Sequence, residues 1–297
     1  MTTDDFQRNR ENFCYRHPDR QSFVLCQRCL RTICPECQTP AAVGVVCPEC
    51  LRDQQKSQSP AQKKAERRWS RPRAVSASAG RPIVTYTIIG ITAFVYLLTI
   101  IPGGFGDTVQ EALLYWAPYL YPGFTGTLEP WRLVTVSLVH SGIWHVGLNM
   151  LALWMIGRSL EPLLGRWRFL TLYVLSTLGG SVAVTLLSFT TPVVGASGAI
   201  FGLFGALLVI GRHIGANIGG IALVLGVNLV IGFVPGFNVS WQAHVGGLLV
   251  GLLVGFIFTR TRAVRQRGLQ IGLLVAVGAG LLALLFVPVV FPALIGA

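Results

Sequence analysis

Charged side chains are scarce in this 297-residue sequence, and acidic ones are nearly missing from its second half. Only 12% of the residues are charged, whereas 52% are hydrophobic. This composition excludes an ordinary soluble domain and indicates a membrane protein. No aspartate follows Asp107, and the later acids are only Glu111, Glu129 and Glu161. No cysteine follows Cys50, so the apolar part of the chain has no thiol to contribute to a metal site.

The N-terminus also lacks features that would place it outside the cell. It is polar and has no apolar segment of the kind found in signal peptides, so we expect none. The formal net charge of +12 could indicate a nucleic-acid partner. However, the surplus lies in a linker and in loops between apolar segments, where basic residues set membrane topology. We therefore expect a lipid bilayer and no nucleic acid as partner.

All seven cysteines lie within residues 14–50, in pairs separated by two residues. With one histidine they form four pairs: Cys14/His17, Cys26/Cys29, Cys34/Cys37 and Cys47/Cys50. This spacing is typical of metal binding in a reducing compartment rather than of disulfides. Eight ligands are sufficient for two tetrahedral zinc sites. Closed four-ligand sites leave no position for a substrate, so we expect structural rather than catalytic zinc.

The arrangement resembles B-box-type zinc fingers. That resemblance implies that the first and third pairs hold one zinc ion and the second and fourth pairs hold the other. A structural role for the metal leaves the module's surface free to bind a cytoplasmic protein.

The composition changes along the chain and predicts four parts. They are a zinc-binding module at 1–50, a basic linker at 51–82, a membrane core at 83–260, and a basic loop with a last span at 261–297. The linker has nine basic residues against Asp53 and Glu66 and no sustained apolar period. We expect it to be disordered or a frayed helix. Beyond it we place seven apolar segments, at about 83–101, 143–160, 168–189, 196–214, 217–234, 241–259 and 269–291.

Arginines between the segments predict the topology. With a cytoplasmic N-terminus, the cytoplasmic loops contain eight arginines and the opposite side contains Arg132 alone. This asymmetry predicts a plasma-membrane protein with its N-terminus in the cytoplasm and its C-terminus on the opposite side. The long connection at about 102–142 has no apolar run long enough to span. We expect short amphipathic pieces in the outer interface there.

Four polar side chains fall near the starts of alternate apolar segments. His145 and Asn149 begin the second segment, Ser197 the fourth and His244 the sixth. In the predicted topology all four lie at one depth, just below the outer surface. Each alone could be structural, but buried polar groups are costly in a membrane and four at one level indicate a site. Ser197 and His244 suggest a nucleophile and its base.

Small residues could bring these two segments together. Glycines recur every four residues on both, at Gly198 and Gly202 on the fourth segment and at Gly247, Gly251 and Gly255 on the sixth. This spacing lets helix backbones approach closely. Ser197 and His244 could then come within hydrogen-bond reach.

Residue types that the apolar part of the sequence lacks exclude several catalytic mechanisms. The lack of membrane aspartates excludes an aspartyl intramembrane protease, and there is no His-Glu-x-x-His motif for a zinc protease. The acids that remain are poorly placed for a triad, which leaves a Ser–His dyad. His140, His145 and His244 could hold a metal, but no carboxylate or cysteine joins them. We therefore expect no metal in catalysis.

The motifs together resemble the rhomboid serine proteases. They are His140-x-x-x-x-His145-x-x-x-Asn149, Gly195-x-Ser197-Gly198 and Ala243-His244-x-x-Gly247-x-x-x-Gly251, with Trp131-Arg132 and Glu161-x-x-x-Gly165 also matching. The resemblance covers about residues 83–260. It implies an all-α polytopic membrane protein: a six-helix bundle plus a seventh, C-terminal helix, preceded here by the small zinc-binding domain.

The resemblance also implies roles for individual residues. Ser197 would be the nucleophile and His244 the general base, while His145, Asn149 and the Ser197 N–H would form the oxyanion hole. His140, Gly195 and Gly198 would support the site. Phe201 stands where many bacterial members have a tyrosine against the catalytic histidine; it can stack but lacks the hydroxyl.

The implied function is an intramembrane serine endopeptidase that cleaves transmembrane segments of other proteins near the outer face. The first alternative is an inactive member that binds membrane clients, although Ser197 and His244 are both present. A transporter is the other alternative, but it predicts inverted repeats that the sequence does not show.

Overall fold

The computed structural model describes residues 10–41, 44–57, 81–216, 218–232 and 239–295. They belong to two compact units, one before residue 77 and one after it. Most of the predicted linker lies outside the described residues.

The N-terminal unit is built on two short antiparallel ribbons and a helix. Strand β1 (Phe13–Cys14) pairs with β2 (His17–Gln21), and β3 (Thr39–Pro40) pairs with β4 (Val45–Val46). Helix α1 (Pro48–Ser57) follows. The buried cluster consists mainly of cysteines, together with Ile33 and Val46. So small an apolar core requires an additional source of stability, such as bound metal.

Each of the seven predicted apolar segments is mainly helical where the structure describes it. The helices are α2 (Ile83–Thr99), α3 (Phe105–Leu113, in the long connection), α4 (Ile143–Leu164), α5 (Arg166–Leu187), α6 (Ser197–His213), α7 (Gly219–Ile231), α8 (Trp241–Arg260) and α9 (Arg267–Leu284). The all-α membrane fold with a small N-terminal Cys/His unit is therefore confirmed.

The helices differ in how well their length suits a membrane. Within the described residues, three helical stretches are long and apolar enough to cross it: α5, α8 and the continuous stretch Val264–Val290. Helix α4 joins this group if it is counted with Arg132–Leu138, from which it is bent by 98°. Helices α2, α6 and α7 are shorter than the roughly 20 residues of a full span.

The long connection before α4 is a series of short helices, as the sequence predicts. Arg132 holds them together from a buried position: its Nε donates to Glu129 Oε2 at 2.6 Å, and its Nη1 donates to the Leu114 carbonyl at 2.9 Å. Its guanidinium lies over the Tyr119 ring, 4.1 Å from the centroid. Trp131 Nε1 donates to the Ala112 carbonyl at 3.1 Å, which ties α3 to the same point.

Helices α5, α6 and α8 form the centre of the bundle. Glycines allow their backbones to touch: a Cβ built on Gly251 would overlap Gly202, and one built on Gly246 would overlap the Gly179 carbonyl. Such close contact requires small residues on both helices. Side chains that are fully buried fill the remaining core, among them Leu153, Leu172, Leu203 and Val254.

The seventh helix, α9, is attached to the bundle at both ends. Gln270 is fully buried near its start, where its Nε2 donates to Thr261 Oγ1 at 2.6 Å and its Oε1 accepts from Arg168 Nε at 2.8 Å. Just beyond its other end, the Tyr121 hydroxyl donates to the Leu285 carbonyl at 2.6 Å. The helix is therefore an integral part of the membrane unit.

Candidate active site

Ser197 is the first residue of α6, and the loop before it is held in place from two sides. The Gly195 N–H donates to the Val136 carbonyl at 3.0 Å, and the Ala196 N–H donates to His140 Nε2 at 3.3 Å. Gly195 has a φ of +121°, in the region that favours glycine. A Cβ there would also lie 2.7 Å from His145 Nε2. Position 195 thus requires glycine for two reasons: its backbone conformation and the closeness of the His145 side chain.

His244 lies in the first turn of α8. Ser240 caps this helix by accepting a hydrogen bond from the Ala243 N–H at 3.4 Å. The imidazole is buried and stacks on Phe201, with the ring centroids 4.0 Å apart and the planes 13° from parallel. Among the described residues, His244 Nδ1 has no hydrogen-bond partner. No acid therefore orients this histidine in the described part of the chain.

The first turns of α6 and α8 are in direct backbone contact. A Cβ on Gly198 would lie 3.2 Å from the Ala243 carbonyl oxygen, and a Cβ on Gly247 would overlap the Gly198 carbonyl. Because Gly198 follows Ser197 and Ala243 precedes His244, this contact places the two side chains at the same end of the helix pair. Within the part of the chain that the structure describes, no hydrogen bond joins Ser197 to His244. Catalytic hydrogen bonds are often loose before a substrate binds, so their hydrogen-bond reach stays a prediction.

His145 and Asn149 occupy consecutive turns at the start of α4. His145 Nδ1 lies 3.0 Å from Ser141 Oγ, and its Nε2 side faces the Gly195 backbone. Asn149 Nδ2 donates to the His145 carbonyl at 2.8 Å. His140 packs edge-on against His145, with ring centroids 4.9 Å apart. Sequence reasoning missed Ser141; its position four residues before His145 was the available signal.

These side chains meet in one cavity of about 620 Å³. It is lined by Ser197, His244, His145 and Asn149. His140 does not line the cavity; it is buried and accepts the hydrogen bond from the Ala196 N–H in the loop before Ser197. Most of the lining is apolar, as in other ligand-binding clefts. The four polar residues predicted from their equal depth are thus brought to one cavity.

The three late acids are all engaged elsewhere. Glu129 pairs with Arg132, and Glu111 accepts from the Tyr119 hydroxyl at 2.7 Å. Glu161 is only 2% exposed and caps the start of α2: it accepts from the N–H groups of Val84 and Thr85 at 3.0 and 2.8 Å, and from the Thr85 hydroxyl at 2.7 Å. The sequence does not reveal this bond between helices that are distant along the chain.

The N-terminal unit contains two separate groups of metal-ligating side chains. The first consists of Cys14, His17, Cys34 and Cys37, and the second of Cys26, Cys29, Cys47 and Cys50. Within each group the ligand atoms lie within 4.8 Å of one another. Pairs one and three are therefore together, as are pairs two and four, which is the interleaving that the B-box resemblance implies. Each group could bind a metal ion.

The surroundings of two of these thiols suit a metal ligand. Burial raises the pKa of Cys14 and Cys26, but hydrogen bonds from backbone N–H groups outweigh it and lower each pKa to about 6. The thiolate is the form that binds metal. In the same groups, burial and the neighbouring thiols raise the pKa of Cys37 to about 11 and that of Cys50 to about 12. Each group thus has at least one stabilised thiolate and three buried ligands out of four, a donor set that could hold a divalent ion.

Fold and site together define a helical membrane protein whose cavity holds a serine and a histidine on neighbouring helices. The Rhomboid domain matches residues 127–261. YdcA of Bacillus subtilis (strain 168) is 30% identical over 187 residues, which are 59% of this chain and 88% of YdcA. The chain belongs to the rhomboid family.

Other relatives match over a smaller part of their own length. Rhomboid protease GluP of the same Bacillus is 34% identical over 213 residues, 68% of this chain and 40% of GluP. RHOMBOID-like protein 1 of Arabidopsis thaliana is 39% identical over 137 residues, 44% of this chain and 35% of that protein. The chain thus spans well under half of these two relatives.

Proposed function

We propose that this protein is an intramembrane serine endopeptidase that cleaves transmembrane segments of other proteins. One observation supports this most strongly: the contact between Gly198 and Gly247 brings Ser197 and His244 to the same cavity. The named function of GluP, a rhomboid protease, supports the same class of reaction.

The reaction would use the serine and histidine in two steps. His244 takes the proton from Ser197 Oγ as that oxygen bonds to the scissile carbonyl carbon. The peptide C–N bond then breaks, and the histidine gives the proton to the leaving nitrogen. Water next attacks the acyl carbon as His244 takes its proton, and the ester C–O bond breaks as His244 returns that proton to Ser197 Oγ. Because His244 Nδ1 has no acid partner among the described residues, we assign a dyad rather than a triad.

His145, Asn149 and the Ser197 N–H would stabilise the oxyanion. With the Ser141 hydroxyl as the donor to His145 Nδ1, the Nε2 of a neutral imidazole would carry the N–H, on the side facing Gly195. One N–H of Asn149 is used within its own helix, and the second remains for the oxyanion. Removing one such donor typically slows turnover by roughly 100- to 1,000-fold.

The metal sites would hold two structural zinc ions. Sets of four ligands made of thiolates, with one imidazole in the first set, suit tetrahedral zinc. Four protein ligands would leave no open coordination position on the ion for a substrate. The proposed division of the chain has four parts: the zinc module, the basic linker, the six-span core and the seventh span. A cytoplasmic binding partner of the module is consistent with this division.

Cleavage would occur near the outer face of the plasma membrane. The arginine distribution supports an N-terminus in the cytoplasm and a C-terminus on the opposite side. Reporter fusions at both ends test this. Both ends on one side would show that the span count is wrong, with 269–291 the first segment to reconsider.

The central test uses purified protein in proteoliposomes with a model transmembrane substrate. Ser197→Ala and His244→Ala should each abolish cleavage without loss of folding, and a phosphonate reagent should label the wild type at Ser197 only. Matched controls are Ser159→Ala and His213→Ala, since both residues are exposed and lie outside the cavity. Wild-type cleavage by Ser197→Ala would refute the assignment. A folded wild type that binds the substrate but neither cleaves it nor reacts with the reagent would indicate the client-binding alternative.

A further inference from the structure

The candidate cavity is lined by a second side-chain amide besides that of Asn149. Asn228 on α7 faces it, together with Val224 one turn earlier. Helix α7 is otherwise apolar: Asn228 is the one polar side chain in Gly219–Ile231. A polar residue in an apolar membrane helix is costly and marks a functional position by default.

The Asn228 side chain makes one hydrogen bond and can make more. Its Nδ2 donates to the Val224 carbonyl at 2.8 Å, one turn back on the same helix. A carboxamide has two N–H donors and an oxygen acceptor. The bond to Val224 uses one donor, and no further hydrogen bond of this side chain occurs within the described residues. One donor and the acceptor therefore remain available on the cavity side.

Trp144 and Leu148 of α4 and Phe204 of α6 line the same cavity with apolar side chains. Besides that of Ser197, four hydroxyls also line it, and each already has a partner: Ser141 with His145, Thr177 with the Tyr173 carbonyl, Ser181 with the Leu133 carbonyl and Ser240 with Gln242. A segment presenting a scissile bond to Ser197 must be extended locally, because helical hydrogen bonds would block the approach to that bond. Extended chain exposes N–H and C=O groups, which are costly to leave unpaired away from water.

We propose that Asn228 is a substrate-binding residue whose carboxamide hydrogen-bonds a peptide group of the extended segment. The carboxamide matches a peptide group because it offers one donor and one acceptor side by side. The proposal rests on the protease function proposed above. It assigns α7 a polar contact with the substrate main chain, independent of the substrate's side chains.

The test compares Asn228→Leu with Val227→Leu in full-length protein in proteoliposomes. Val227 is the adjacent residue on α7, is exposed and does not line the cavity. Loss of one ordinary hydrogen bond predicts that Asn228→Leu lowers kcat/KM for a transmembrane substrate by about fivefold, mainly through KM. Labelling of Ser197 by a small phosphonate should stay within about twofold of wild type, since that reagent has no peptide main chain. Asn228→Gln should recover part of the loss, and Val227→Leu should behave as wild type.

The outcomes separate this proposal from the protease assignment. A wild type that is not labelled at Ser197 and does not cleave would overturn both. An active wild type with an unchanged Asn228→Leu variant would overturn only the role of Asn228. Equal loss of labelling and cleavage in Asn228→Leu would also overturn it, because the residue would then support the fold of the site rather than bind substrate.

Discussion

Gly247→Ala adds a single methyl group where α6 and α8 touch, three residues after His244. That methyl would overlap the Gly198 carbonyl, which is backbone and cannot rotate away. The helices must therefore separate, and overpacking of this kind costs about 1–3 kcal/mol of stability. Because Gly198 follows Ser197, the separation moves the nucleophile relative to His244. A misplacement of about 1 Å can slow a reaction about 100-fold.

The assay measures kcat/KM on a transmembrane substrate and thermal unfolding of the same purified protein. Two alanine variants serve as comparisons. A Cβ on Gly255 would lie 2.8 Å from the Ala206 Cα, on the same helix pair but about 12 Å farther along, so Gly255→Ala should lose stability with much less effect on cleavage. Gly226 on α7 has no atom within 4 Å of its built Cβ, so Gly226→Ala should change neither property for the worse.

Two results would refute the reasoning. Wild-type activity and stability in Gly247→Ala would show that the glycine contact does not control the distance between the helices. An equal loss of activity in Gly255→Ala would show that cleavage follows general stability rather than the position of Ser197.

Three further predictions concern other parts of the molecule. Glu161→Gln should lower stability by about 2 kcal/mol, since it weakens three hydrogen bonds to a buried carboxylate, and reactivity of Ser197 in the folded fraction should be unchanged; a catalytic loss at full stability would contradict this. Ser141→Ala should lower kcat about fivefold with little change in KM, because a hydrogen bond to His145 Nδ1 that orients the imidazole is lost; a change in KM alone would argue against it. Chelation should release two zinc ions per chain and unfold the N-terminal unit while the membrane unit stays folded, as metal analysis with circular dichroism can measure; one ion or none would reject the paired sites.

Much of the architecture follows from local sequence patterns. Apolar runs predicted the seven apolar helices, most of them to within a few residues, since helix formation in lipid depends on a continuous apolar stretch. Paired ligands with a two-residue gap predicted metal-binding groups. The rhomboid motifs and the equal depth of Ser197, His244, His145 and Asn149 identified one candidate site, because position along a helix converts directly to depth.

Only the tertiary structure decided which partners meet. The sequence does not reveal that Glu161 caps α2, that Gln270 ties α9 to α5 and α8, or that Asn228 lines the cavity. Each of these includes a contact between elements that are far apart in the sequence. The hydrophobic periodicity of one helix does not specify which other helix it contacts. A local pattern specifies that a helix forms and which residues share a face, whereas the choice of neighbour depends on how all the helices pack at once. Backbone approach at Gly198 and Gly247 is the clearest case. The glycine spacing permits this approach, but only the packing of α5, α6 and α8 shows that it occurs and that Ser197 and His244 line one cavity.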